Sequence, residues 1–202
     1  MKLKDVKEGL PDLRTLVQYK PDLFLREEPI DREEFEQVIE KASTYLRQIL
    51  QEPKMDAEVF IFLYSYLGNA YRISGRAAKG VQYLERALEM SRYDEDEQAE
   101  LRTMIRLGEA YKYAGDHEAA LECFEQALTM SRAQQLLEFK DYALQHMGKC
   151  LMELGEYEEA LAKLEEALQI RKDKEIEELI LSTETAIVML HILRQTTSEK
   201  VQ

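Results

Sequence analysis

The chain repeats itself. Shifted by 40 residues along its own sequence, it brings Gly68, Gly108 and Gly148 into one column. The same shift aligns Leu67, Leu107 and Met147, then Ala70, Ala110 and Cys150, then Gly75, Gly115 and Gly155. Further on it aligns Leu84, Phe124 and Leu164, then Ala87, Ala127 and Ala167, and finally Leu88, Leu128 and Leu168. So many small and apolar residues at one spacing mean three copies of one supersecondary unit. Such units stack so that each buries the apolar face of the next.

Within a unit the apolar residues keep helical spacing, as in Leu63, Leu67, Ala70 and Tyr71, followed by Val81, Leu84, Ala87 and Leu88. Each unit is therefore a pair of helices. The break falls at Gly75, Gly115 and Gly155, where a residue without Cβ can end a helix in the left-handed conformation. Asp116 is placed to cap the helix that follows, with Glu118 favourably set at its N-terminus. Gly68, Gly108 and Gly148 lie inside helices, where glycine costs about 1 kcal/mol relative to alanine. Close approach of a partner helix compensates for this, and the small residues Gly80, Ala120 and Ala160 mark where that helix crosses.

These residues resemble the tetratricopeptide repeat. Leu67-Gly68-Asn69-Ala70-Tyr71 and Leu107-Gly108-Glu109-Ala110-Tyr111 match its L-G-x-x-Y pattern in full, whereas Met147-Gly148-Lys149-Cys150-Leu151 keeps the glycine and replaces the leucine and tyrosine. The resemblance spans about residues 56 to 194 and implies an all-α fold, a right-handed α-solenoid of antiparallel helix pairs. The usual period is about 34 residues, so a 40-residue repeat implies longer helices. It is similar to the repeats of kinesin light chains, of the LGN family of spindle-orientation adaptors and of bacterial Rap regulators. The family's proline near the repeat end is absent, with Arg92, Arg132 and Lys172 in its place.

All four prolines, Pro11, Pro21, Pro29 and Pro53, precede the repeats, so residues 1–53 form a differently built segment expected to pack on the first repeat. A short helix and an extended stretch are expected up to residue 30. Asp31 and Glu34 read as a capping box opening a helix that runs to about Gln51. The repeats then occupy about 56–94, 95–134 and 135–174. A capping helix is expected over about 175–194, resembling the first helix of a fourth repeat, and a frayed tail over 195–202.

Chemistry is conspicuous by what the sequence lacks. There is no phosphate-binding glycine loop, nucleophile elbow or zinc-type cysteine pair. Asp94-Glu95-Asp96-Glu97 lacks the glycine and terminal glutamate of a calcium loop and reads as acidic residues at a helix N-terminus. His117, His146 and His191 are widely separated. No enzymatic activity, metal or cofactor is expected. The two cysteines, Cys123 and Cys150, sit inside helical patterns as reduced core residues, consistent with a cytoplasmic protein. The formal charge of −13, from 27 Lys+Arg against 40 Asp+Glu, repels nucleic acid and anionic membrane surfaces and argues against both as partners.

The expected function is binding of a protein or peptide. The resemblance places the ligand on the concave face formed by the first helix of each pair. Phe62, Ser65, Asn69, Arg72 and Ile73 belong to that stripe in the first unit. The second contributes Arg102, Ile105, Arg106, Glu109, Lys112 and Tyr113, and the third Tyr142, Gln145, Lys149, Met152 and Glu153, with His191 at a related position. Five cations on this stripe of an acidic protein point to an acidic ligand, with Asn69 available to bond its backbone. The alternative is that these charges are solvated or paired with Glu109 or Glu153. The chief candidates for partner contact are thus Asn69, Arg72, Arg102, Arg106, Lys112, Tyr113, Gln145 and Lys149. Two other functions fit the pattern: a peptide-sensing regulator resembling Rap proteins, and a structural protein that self-assembles through terminal helices such as the one carrying Ile187, Val188, Leu190 and Ile192.

Overall fold

Aspartates start four of the α-helices. In the computed structural model, which describes residues 1–53 and 56–200, the side chain of Asp31 accepts from the backbone N–H groups of Glu33 and Glu34 at 2.8 and 3.0 Å and opens α2 (Arg32–Ile49). Asp56 accepts from Val59 and opens α3 (Ala57–Ile73), and Asp96 accepts from Ala99 and opens α5 (Glu97–Ala114). Asp116 does the same for α6 (His117–Ala133) through Ala119. Where the column that holds Asp56 and Asp96 carries Leu136, no side chain caps the helix. The chain makes a 3-10 turn over Leu137–Phe139 before α7 (Lys140–Leu154) begins. The remaining helices are α1 (Leu3–Gly9), α4 (Ala77–Tyr93), α8 (Tyr157–Asp173) and α9 (Glu177–Lys200).

The turns within the pairs use glycine at positive φ, as at Gly115 (φ 87°), where the N–H of Asp116 reaches back to the carbonyl of Tyr111. The turns between pairs do the same with ordinary residues: Glu95, Gln135 and Glu175 all lie at φ 56–57°.

The helices pair α3 with α4, α5 with α6 and α7 with α8, and each pair stacks on the next. The mid-helix glycines set the crossing distance. A Cβ on Gly68 would lie 2.5 Å from Leu84 Cγ and 3.0 Å from the carbonyl oxygen of Gly80, and one on Gly108 would lie 2.6 Å from the Phe124 ring. Apolar residues from α4 to α9 form one core, and a second core joins α1 and α2 to α3. α2 buries Phe35, Val38, Ile39, Ala42, Leu46 and Ile49.

The N-terminal segment holds more than a short helix and an extended stretch. After α1, strands β1 (Val17–Lys20) and β2 (Arg26–Pro29) pair antiparallel, Val17 opposite Pro29 and Lys20 opposite Arg26. The turn between them passes through Phe24 and Leu25, both at positive φ.

At the other end, α9 packs on α8 and α7 through Thr183, Ala186 and Leu190. Arg171 fastens it: Nε donates to Asp141 at 2.7 Å, and Nη1 donates to Thr183 Oγ1 at 2.8 Å and to the Leu179 carbonyl at 3.2 Å. α9 continues to Lys200, so the tail expected to fray from residue 195 is helical to that point; residues 201–202 lie outside the described residues. Val188 continues the column of Gly68, Gly108 and Gly148, and it is 58% exposed. No helix among the described residues is long and apolar enough to cross a membrane.

Candidate functional site

The first helices α3, α5 and α7, together with α9, form an inner wall, and the N-terminal segment lies across it. Tyr66 donates its hydroxyl proton to the carbonyl of Pro11 at 2.8 Å, and Lys7 sits over the Phe62 ring. The hairpin is fastened farther along. The Glu27 carboxylate pairs with Arg72, and its backbone N–H donates to Tyr113 Oη at 2.6 Å. Arg26 pairs with Glu153 and donates to the carbonyl of Lys112 at 3.1 Å. Leu25, 8% exposed, enters the main core. Between wall and hairpin a chamber of about 930 Å³ remains.

Asn69, Arg72, Arg102, Arg106, Lys112, Tyr113, Gln145 and Lys149 all line this chamber, but their circumstances differ. Arg72 is engaged: its Nε and Nη2 donate to Asn69 Oδ1 at 2.9 and 2.7 Å, it pairs with Glu27, and Nη1 lies 3.7 Å from Glu109. Lys112, 2% exposed, lies 3.7 Å from Glu153, and burial pulls its pKa down in spite of that carboxylate. Tyr113 is stacked among cations, its ring centre 4.5 Å from the guanidinium of Arg72 and 4.9 Å from that of Arg26. Burial pushes its phenol pKa upward. Gln145 is tied to α9, donating to Ser182 Oγ at 3.1 Å and accepting from Thr183 Oγ1 at 2.8 Å.

The other three cations have no carboxylate within ion-pair distance among the described residues. Arg102 is exposed, with its guanidinium 6.0 Å from the Phe139 ring centre. Arg106 keeps an exposed surface, yet that surface opens into the chamber; enclosure by protein lowers its pKa, and Arg102 adds to the effect. Lys149 is 6% exposed and lies 5.9 Å from the Tyr19 ring centre. Desolvation and then Lys112 bring its pKa down to about 8. In total eight Lys and Arg side chains face four Asp and Glu around the chamber.

Not every residue of the expected stripe reaches the chamber. Ile73 and Met152 are buried in packing, Glu153 is held by Arg26, and His191 stands exposed outside. Several lining residues had not been singled out: the roof residues Asp12, Arg14 and Tyr19, and Phe139, Arg171 and Ser182 on the helical side. His146, read in the sequence only as one of three scattered histidines, also lines it, with Nδ1 3.2 Å from Glu109. Burial, and then Lys149 and Lys112, hold its pKa well below the ordinary value, so it is neutral. Among the described residues no group of three or more metal-binding side chains exists. Both thiols are free, and burial pushes each up to about 11.

Comparison with known proteins places this geometry among helical repeats. Two models of the tetratricopeptide repeat match residues 60–133 and 141–174, together more than half of the chain. Among solved structures, the apo form of RapI superposes with a TM-score of 0.68 at 21% identity, over 82% of this chain and 60% of RapI. A Rap protein complexed with Competence and Sporulation Factor gives 0.71 at 15% identity, over 84% of this chain and 47% of that one. A Podosopora anserina protein of kinesin light chain type, with nearly identical TPR-like repeats, gives 0.61 at 15% identity, over 82% and 81%. No curated protein sequence matches. The chain thus spans less than two thirds of either Rap protein, and at these identities the likeness is one of fold.

Proposed function

The chain belongs to the tetratricopeptide-repeat family, and from that premise we propose that it is a non-catalytic binding module that takes an acidic peptide or protein segment on its inner wall. The observation that carries this reading is the charge of the chamber. A protein of formal charge −13 gathers eight Lys and Arg around one cavity, and leaves Arg102, Arg106 and Lys149 there without carboxylate partners among the described residues. Guanidinium forks suit carboxylates, and the low-dielectric setting strengthens each such bond. The Rap neighbour complexed with Competence and Sporulation Factor lends support by analogy of fold.

The test is titration of a labelled acidic peptide library against the wild-type chain and the double variant Arg102→Glu, Lys149→Glu. Acidic members are expected to bind the wild type and to lose at least tenfold in the variant, since charged hydrogen bonds contribute about 1.5–3 kcal/mol each. Equal binding by both chains, with the same helical content, removes the inner wall as the site.

A further inference from the structure

The roof over the inner wall changes what can fit there. It is fastened at Tyr66, Arg72, Tyr113 and Glu153 on α3, α5 and α7, and Arg14 on the roof lines the same chamber as Glu178 on α9. It covers part of the wall and narrows the room for a chain running along it. What remains, about 930 Å³, is within the range of roughly 300–1,000 Å³ typical of sites for small ligands.

Apart from Lys7, which stands over the Phe62 ring, the chamber cations without a carboxylate partner among the described residues fall in two places. Arg102 and Arg106 are four residues apart on α5, where like charges repel each other unless an anion lies between them. Lys149 stands on the next wall helix, α7, and packed helices lie about 8–10 Å apart. Lys149 is 6% exposed, lines the chamber and has no hydrogen bond or ion pair among the described residues. The two places stand on different helices, and a ligand with two acid groups serves both. Phe62, Ile105, Phe139 and Tyr142 supply apolar surface in the same chamber.

We propose that the chamber is a partly roofed receptor for a compact organic dianion, with one acid group on Arg102 and Arg106, the other on Lys149, and an apolar middle against the aromatic wall. This rests on the reading of the inner wall as acid-binding, and adds that the ligand lies wholly inside with no chain continuing from it. Either a free small diacid or a very short acidic peptide meets that description.

Calorimetric titration of the full chain with three probes tests it: 1,4-phenylenediacetate, the tripeptide Glu-Phe-Glu, and a long peptide carrying Glu-Phe-Glu in its interior. At least one compact probe is expected to bind one to one, at least about tenfold tighter than the long peptide, and which of them does so identifies the source of the dianion. Arg106→Gln and Lys149→Met are each expected to weaken that binding by about tenfold, the low end for a lost charged hydrogen bond, with melting temperature and helical content confirming that both variants fold. If the long peptide binds as tightly as the compact probes, or alone, the enclosure is wrong and the acid-binding wall stands. If no probe binds the folded wild type, both readings fall.

Discussion

The backbone N–H of Glu27 donates to the phenolic oxygen of Tyr113 at 2.6 Å, joining the N-terminal hairpin to the middle helix of the inner wall. Tyr113→Phe removes that hydrogen bond and keeps the ring stacked on Arg72 and Arg26. A neutral hydrogen bond contributes about 1 kcal/mol, so the hairpin should open more often while the helix pairs hold. Amide exchange at Glu27 is expected to speed up several-fold with α8 unchanged. Unchanged protection at Glu27 means the ion pairs alone hold the hairpin.

Lys149 is a buried cation with no carboxylate partner among the described residues, and such a group costs stability. The sign follows from its pKa: about 8 in the folded chain against an unfolded value of 10.5. The unfolded chain holds the proton more tightly, so stability rises as pH climbs from about 8 to 10.5, and below 8 the penalty is complete. Lys149→Met should therefore be more stable than wild type at pH 7, with the gap narrowing toward pH 10. A gap that does not change with pH contradicts the depressed pKa.

The legibility of each feature in the sequence depends on the distance over which that feature is determined. The glycine columns and the helical spacing around Leu63 and Leu67 are local, and they led to helix pairs whose crossings the structure places at Gly68 and Gly80. The hairpin was not legible. Its strands are four residues each, its turn uses Phe24 and Leu25 at positive φ where glycine or asparagine gives the usual signal, and its position depends on Glu27 meeting Arg72, 45 residues away. The cation stripe could be read from the repeat. The engagement of Arg72 by Glu27 and of Gln145 by α9 could not, because those partners lie outside the repeat unit or in its neighbour.

Gly108→Ala tests the close crossing. On helix propensity alone alanine gains about 1 kcal/mol, but its Cβ would lie 2.6 Å from the Phe124 ring. Overpacking of this kind costs about 1–3 kcal/mol, so the variant should be less stable in urea denaturation. In a Phe124→Ala background, where the ring is gone, the added cost of Gly108→Ala should shrink. Stabilisation by the single change rules out the crossing glycine as a packing requirement.

Arg171→Met tests the fastening of α9. Asp141 is fully buried and keeps only Lys174 when the guanidinium is removed. Breaking a buried pair from one side costs about 3–5 kcal/mol. Limited proteolysis should then cut first within α9 and leave α3 to α8 intact; cleavage elsewhere at the same rate shows that Arg171 does not hold this helix locally.

Val188 has a bearing on how long such an array can grow. Another helix laid on α9 at the spacing used by α4, α6 and α8 would strike an isopropyl group where each earlier layer offers a bare α-carbon. Whatever polypeptide follows, or is fused there by design, must settle at a wider separation. Extending the superhelix by another identical layer calls for glycine at 188 first.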